Sequence, residues 1–246
     1  MWKDNLKITA LAFAIPALFL FPARAQEQTG KAPHPVMTPL GQAPDAVAVA
    51  PDIHRVIVEN QYVRVLETRL RPGQQVAMHS HPARVVVALD HSRVRVTAQD
   101  RRTEIVDHKP GEIIWSDPTV HSLEAISAEM HEIEMELKSA TPPATDHSAR
   151  EVSELFPVLA RAVFENARVR VVDLRGEPGQ AFPLHFHPPR VTVRLGSARM
   201  TVTDPDGKVR FTDQQYGFTS WGDPVQHSDA VVSGTFHVID IELKTH

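Results

Sequence analysis

The chain has 246 residues, a formal net charge of −4 at pH 7 and no cysteine. This mildly acidic balance argues against nucleic acid or another polyanion as the main partner. Without cysteine, the chain can form no disulfide, no thiolate metal site and no cysteine nucleophile. Any metal site must therefore be built from histidine, aspartate or glutamate.

The first 25 residues have the layout of a secretory signal peptide. Lys3 and Lys7 precede an apolar run from residue 8 to residue 21, and Ala23-Arg24-Ala25 is a small-x-small cleavage pattern. The apolar run contains Pro16 and is too short to span a bilayer comfortably, so a membrane anchor is disfavoured. We expect a secreted or periplasmic protein with no membrane association after cleavage.

The remainder of the chain contains an internal duplication with an offset of 106 residues. Without a gap, 34 of the 85 positions from 54 to 138 are identical to their partners from 160 to 244. Composition then divides the chain into a lead-in tether (26–52), a first domain (53–138), a linker rich in Pro, Ser, Thr and Ala (139–150) and a second domain (151–246).

Each copy shows the period-two alternation of half-buried strands. In the first copy, Val85, Val87 and Leu89 alternate with Arg84 and Val86. Pro-Gly and Asp-Gly turn signals separate such segments, and no long helical pattern intervenes. The pattern predicts an all-β sandwich or barrel in each copy. We expect Val85 to point into the barrel and Arg84 to point away from it.

A repeated set of histidines is the strongest chemical signal in the sequence. Each copy has a His-x-His-Pro motif and a third histidine 42 residues after the first, giving the candidate ligands His79, His81, His121, His185, His187 and His227. Residues i and i+2 of a strand share a face, so the paired histidines can be neighbouring ligands. A three-histidine set suits Fe, Cu, Ni or Zn and leaves coordination positions open. The alternative is a set of hydrogen-bonded core histidines.

These motifs resemble the two signatures of the cupin superfamily. The first copy reads Gly73-x5-His79-x-His81 and then Gly111-x3-Trp115-x2-Pro118-x2-His121, and the second copy repeats both. The resemblance implies a bicupin with two tandem double-stranded β-helix, jelly-roll-like barrels, each binding one divalent metal through its three motif histidines.

The chain departs from the usual cupin pattern at one position. The family commonly has a Glu four or five residues after the second motif histidine, where this chain has Val85 and Val86, and Val191 and Thr192. The resulting site is similar to that of three-His cupin dioxygenases, which use Fe(II) without a carboxylate ligand. It disfavours the Mn(II) chemistry of oxalate-decarboxylating bicupins.

Four further residues are identical between the copies and are candidates for substrate binding: Arg84, Arg190, His131 and His237. A guanidinium can hold a substrate carboxylate through two hydrogen bonds, and the alternative is an outward-facing structural role. The two histidines are expected to face the barrel interior, near the metal or as core residues. Trp115 and Trp221 are expected to pack in the core. Histidines without a repeat partner, including His54 and His108, are expected at the surface.

The sequence supports three functional hypotheses. The first is an exported non-haem Fe(II) dioxygenase that acts on a small chelating organic substrate, with Zn, Cu or Ni as other possible metals. The second is a non-catalytic periplasmic cupin that binds a metal or small ligand. The third is a metal-free interaction protein with the same fold. No catalytic residue is assigned, and the protein could be a monomer or a homodimer.

Overall fold

The computed structural model describes residues 43–245. The predicted signal peptide, the predicted tether up to residue 42, His34 and His246 lie outside the described residues. Within residues 43–245, no helix has the length and apolar character needed to cross a membrane.

The first repeat folds into one short helix and nine strands. The elements are α1 (Ala46–Val49), β1 (His54–Glu59), β2 (Val63–Leu70), β3 (Gln75–His81), β4 (Arg84–Ala88), β5 (Ser92–Ala98), β6 (Thr103–His108), β7 (Ile113–Ser116), β8 (Thr119–Ser127) and β9 (Met130–Leu137). They form a five-stranded sheet in the order β1-β2-β9-β4-β7 and a four-stranded sheet in the order β3-β8-β5-β6.

The second repeat has the same elements in the same order. They are α2 (Val152–Leu155), β10 (Ala160–Glu165), β11 (Val169–Gly176), β12 (Ala181–His187), β13 (Arg190–Arg194), β14 (Ala198–Thr203), β15 (Val209–Gln214), β16 (Thr219–Gly222), β17 (Val225–Gly234) and β18 (Phe236–Leu243). Its sheets have the orders β10-β11-β18-β13-β16 and β12-β17-β14-β15. The all-β class with two jelly-roll-like barrels is therefore confirmed.

The structural repeat begins earlier than residue 53, where the first predicted domain starts. Asp45 makes an isolated bridge with Ser80 and precedes α1, as Glu151 does with Phe186 and α2. The Asp45 side chain accepts a hydrogen bond from the Val47 N–H and so caps α1. The end of the predicted tether is thus part of the first barrel.

The glycines of the predicted turns have the backbone that these turns require. Gly73 and Gly179 have φ values of +82° and +88°, and Gly111 and Gly217 have φ values of +80° and +78°. Residues with a Cβ rarely adopt this left-handed region. The turn chemistry is therefore preserved between the two repeats.

The two five-stranded sheets share one apolar core, and this changes which side chains face each barrel. Val85, Val87 and Met135 of the first repeat pack in the same cluster as Val191 and Ile241 of the second. Our prediction that Val85 and Val191 point into the barrels was therefore wrong. Every residue of β4 is buried, because one face of this sheet covers its own barrel and the other covers the second repeat.

Trp115 and Trp221 pack at this junction, as their predicted core role requires. Trp115 stacks on Phe164 with ring centroids 5.8 Å apart, and Trp221 stacks on Tyr62 at 5.9 Å. Each tryptophan thus contacts an aromatic side chain of the other repeat. Such paired aromatic contacts stabilise the junction beyond the area they bury.

Candidate metal centres

The motif histidines are brought together on two neighbouring strands in each barrel. His79 and His81 lie on β3, and His79 pairs in register with His121 on β8. In the second barrel, His185 on β12 pairs with His227 on β17. In both barrels a register irregularity immediately precedes the first motif histidine. The repeated motif therefore places its three imidazoles inside the barrel at equivalent positions.

The second barrel contains a compact set of three imidazoles. One ring nitrogen from each of His185, His187 and His227 lies within 4.8 Å of the others, and all three side chains are buried. The Nδ1–H of His185 donates to the Pro183 carbonyl oxygen at 2.7 Å. This hydrogen bond leaves the Nε2 lone pair of His185 available, and Nε2 of His187 is 2.9 Å from it. These residues fit a single divalent cation.

The histidine cluster of the first barrel has four members rather than three. The compact set with nitrogens within 4.8 Å is His54, His79 and His81. The His121 ring lies beside it, with its centroid 4.7 Å from that of His79 and 5.3 Å from that of His81. His54 has no exposed surface, so its predicted surface position was wrong. Its partner in the second repeat is Ala160, so comparison of the copies gives no signal for it.

The imidazole nitrogens of the first barrel are arranged for metal binding. Among residues 43–245, the Nε2 atoms of His54, His79, His81 and His121 are buried and have no hydrogen-bond partner. The Nδ1–H of His79 donates to the Ala77 carbonyl at 2.8 Å, and that of His81 donates to Glu136 at 2.8 Å. Such contacts behind a ligand fix its tautomer and orientation. The donor set therefore fits a divalent metal.

Burial lowers the pKa of several of these imidazoles and so favours the neutral form that binds metals. Desolvation lowers the pKa of His79 to about 4, despite its hydrogen bond to Ala77. Desolvation also holds the pKa of His121 and His187 well below the usual value, and neighbouring arginines add to the effect. At neutral pH these nitrogens carry lone pairs rather than second protons.

Arg84 lies inside the first barrel, opposite to the predicted orientation. Only 5% of its surface is exposed. Its Nε forms an ion pair with Glu134 at 2.8 Å, and its Nη1 donates a hydrogen bond to the Thr119 hydroxyl at 2.9 Å. Its counterpart Arg190 lies 3.5 Å from Asp240 in the second barrel. Both guanidinium groups are thus engaged by the protein behind the histidines.

A buried carboxylate lies behind the histidines, on a different strand from the one that carries the usual cupin glutamate. Val86, rather than Val85, faces the barrel, and it pairs across the ladder with Glu134 of β9. In the second barrel, Thr192 pairs in the same way with Asp240. We expected no carboxylate from the strand after the motif, and the structure supplies one from the neighbouring strand. Its oxygens lie on the Nδ1 side of the histidines, at 3.7 Å from His81.

Among the buried carboxyl groups of β9, that of Glu134 is charged and that of Glu132 is neutral. Burial opposes ionisation of Glu134, but His81, His54 and Arg84 together hold its pKa well below the usual value. Burial and the charge of Glu134 raise the pKa of Glu132 to about 8. The Glu134 carboxylate, which lies behind the histidines, would partly balance the charge of a cation bound there.

Asp229 is a second carboxylate that the sequence analysis missed. Its Oδ2 lies 3.4 Å from Nε2 of His227. Its Oδ1 is buried, with no hydrogen-bond partner in the described part of the chain. The first barrel has Leu123 at this position. A charged residue that replaces a core leucine two positions after a motif histidine is the signal that could have identified it.

His131 and His237 lie outside the metal centres. They occupy the same face of β9 and β18 as Ile133 and Ile239, which belong to the core shared by the two sheets. His131 Nε2 is 3.1 Å from Glu67, and His237 Nε2 is 3.1 Å from Asp173. The prediction that these two histidines face the barrel interior was wrong, because that face of the sheet is turned toward the other repeat.

Two jelly-roll-like barrels that share a core, each with a buried histidine set on adjacent strands, define a two-barrel fold of the cupin type. The cupin resemblance seen in its motifs is thereby confirmed. The protein has the bicupin fold with three-His motifs and without the usual motif glutamate.

No protein-family model and no curated protein matches the chain, whereas solved structures do. An oxalate decarboxylase from Lactobacillus farciminis, in complex with formate, has a TM-score of 0.50 and 12% identity, over 79% of this chain and 84% of that chain. AerE from Microcystis aeruginosa has a TM-score of 0.50 and 13% identity, over 78% and 97%. A mutant oxalate decarboxylase from Bacillus subtilis has a TM-score of 0.50 and 16% identity, over 82% and 72%. At these identities the similarity establishes the fold.

Proposed function

We propose that this protein is an exported, metal-dependent bicupin that oxidises a small chelating organic substrate with dioxygen, in the manner of a three-His dioxygenase. The observation that carries the proposal is the convergence of His185, His187 and His227 in a buried set with a carboxylate beside it. A set of three protein ligands leaves positions for water, substrate or a second reactant.

The donor atoms favour some metals over others. Nitrogen donors suit Fe, Cu, Ni and Zn, whereas carboxylate and carbonyl oxygens suit Mn. The carboxylates Glu134 and Asp240 lie behind the histidines rather than among the grouped nitrogens. We favour Fe(II), because when bound it would supply the redox chemistry with dioxygen that side chains lack.

The chain's own residues would then position the substrate and handle protons. Asp229 lies beside His227 and has a buried oxygen free to accept a proton or a hydrogen bond from the substrate. Arg190 lies behind His187, near Asp240, and would hold the histidine and its carboxylate in place. The substrate contact therefore falls to Asp229 rather than to the arginines.

The test is metal analysis of the protein from its own exported compartment, followed by oxygen-uptake assays. The substrate panel contains β-diketones, catechols, hydroxy acids and, because oxalate decarboxylases share the fold, small dicarboxylates. We expect stoichiometric metal, and oxygen uptake with one class that His227→Ala abolishes. His91→Ala, which changes an exposed histidine, is the matched control. A folded protein that takes up no divalent metal would overturn the proposal.

Non-catalytic capture of a metal or ligand is the second candidate. The four-histidine cluster of the first barrel favours it, because an all-imidazole set binds Cu(II) and Zn(II) more tightly than Fe(II). Tight binding of either metal without oxygen uptake on any substrate would select this alternative. In both cases the expected partner is a small molecule or ion, taken up by a monomer or homodimer.

A further inference from the structure

We propose that the two barrels have become unequal, and that His54 makes the first one a four-histidine metal site that holds its metal more tightly than the second. The inference rests on the proposed function only in requiring that the barrels take up metal. It assigns a ligand that lies outside the repeated motif and has no counterpart in the second barrel.

Among the described residues, the hydrogen bonds around His54 leave one of its ring nitrogens without a partner. The Thr68 hydroxyl donates its only proton to Glu134, so it accepts from Nδ1–H of His54, at 3.0 Å. Nε2 of His54 is therefore the unprotonated nitrogen. It is buried and, among the described residues, has no hydrogen-bond partner. A buried polar atom without a partner is costly unless something binds to it.

The position of this nitrogen identifies what would bind to it. The His54 ring lies 5.0 Å from the His79 ring and 5.4 Å from the His81 ring, measured between centroids. One nitrogen from each of the three lies within 4.8 Å of the others. His121 contacts the same two rings and also has a bare Nε2. The first barrel thus has three grouped imidazole nitrogens and a fourth imidazole beside two of them, and such donors are the ligands of a divalent transition metal.

The second barrel lacks the whole arrangement. Ala160 replaces His54, Leu174 replaces Thr68, and both belong to an apolar cluster of that barrel. The second barrel instead has Asp229 beside its third histidine, where the first has Leu123. Each barrel thus has one additional donor that the other lacks, an imidazole in the first and a carboxylate in the second.

This difference has a functional consequence. A fourth imidazole adds a metal–nitrogen bond that the second barrel cannot make. Three protein ligands leave an open position, which is characteristic of reactive sites. The first barrel would therefore hold its metal more tightly than the second, and the second would have more positions open for substrate.

The test uses Cu(II) alone as the probe, on the full-length protein with His185→Ala and His227→Ala, so that only the first barrel can bind. Two quantities are measured: the affinity, by competition with a chelator, and the number of nitrogens coupled to copper in the electron paramagnetic resonance spectrum. His54→Ala reproduces the second barrel, and His54→Gln keeps most of the side-chain volume. His108→Ala, a partly buried histidine elsewhere in the first barrel, is the control.

We expect four coupled nitrogens, falling to three in both His54 variants. The affinity should fall by more than the roughly 10- to 100-fold that loss of a residue behind a ligand causes. The control should keep four nitrogens. This inference alone would be overturned by only three coupled nitrogens in the protein with His54 intact, or by an affinity that His54→Ala leaves unchanged. Copper binding confined to the second barrel of the unmutated protein would overturn it as well. Absence of metal from both barrels would instead overturn the proposed function.

Discussion

Arg84 and Glu134 form an ion pair inside the first barrel, with Nε and Oε2 2.8 Å apart and both side chains almost fully buried. The same carboxylate accepts a hydrogen bond from Thr68, which in turn accepts one from His54. The pair therefore connects the barrel sheet to the histidine cluster. Removal of one member would leave the other charge buried and unbalanced.

Glu134→Gln is expected to destabilise the metal-free protein by about 3–5 kcal/mol, the usual cost of leaving a buried charge without its partner. Denaturant unfolding in the presence of EDTA measures this free energy. The control is Glu129→Gln, which breaks the exposed pair with Arg69 and should have a far smaller effect. Equal effects of the two substitutions would mean that the Arg84–Glu134 pair is solvated in solution.

Glu132 should give the protein a distinct pH dependence. Burial raises the pKa of Glu132 from 4.5 to about 8, so between these values the folded state binds a proton that the unfolded state releases. This contribution to stability is lost as the pH rises from about 4.5 to about 8. Glu132→Gln removes the titration, so the stability of the variant relative to the parent should increase across that range.

The measurement is the free energy of unfolding of parent and variant at several pH values, with EDTA present. Other buried groups, such as His79 with its pKa of about 4, affect both curves and cancel in the difference. Glu124→Gln, on a partly exposed residue, is the control and should give a difference that does not vary with pH in this way. A pH-independent difference for Glu132→Gln would show that its carboxyl is ionised at neutral pH.

The fold could be predicted from the sequence because the repeat and the period-two pattern carry independent information. The motif glycines, Gly73 and Gly111 with their second copies, mark turns that the backbone does form. The sequence could not predict which face of each strand points into the barrel. In β4 both faces are apolar or buried, so alternation alone does not distinguish the barrel interior from the core shared with the other repeat. When another domain covers the second face of a sheet, the sequence of a single strand does not show which face points into the barrel.

The candidate site was predictable only where the two copies agree. Identity between copies found the six motif histidines. It could not find His54, Glu134 and Asp229, because their partners are Ala160, Asp240 and Leu123. The residues that make the two centres different are, by definition, those at which the copies diverge. These residues lie close together because they are on neighbouring strands. The residue spacing within one strand does not predict that proximity.

The shared core predicts that the two barrels unfold together. Met135 is fully buried between the five-stranded sheets, in one cluster with Val191 and Ile241 of the second repeat. Met135→Ala should cost about 2–5 kcal/mol, as for other large-to-small core changes, and should lower a single transition rather than separate two. Calorimetry of the metal-free protein tests this. Ile105→Ala, at an exposed position, is the control. Two resolved transitions would indicate independent barrels.

Asp229 should separate turnover from metal binding in the second barrel. The carboxylate lies 3.4 Å from Nε2 of His227, but it is not a member of the compact nitrogen set. Asp229→Asn keeps the shape and removes the proton-accepting group, so turnover should fall by about 10²–10⁴-fold, the usual contribution of a positioned acid or base. Metal content should remain stoichiometric, and Asp223→Asn, near Trp221 and outside the histidine set, is the control. Oxygen uptake and metal content are measured on the same samples. Loss of metal in step with activity would identify Asp229 as a ligand, and unchanged turnover would remove it from the chemistry.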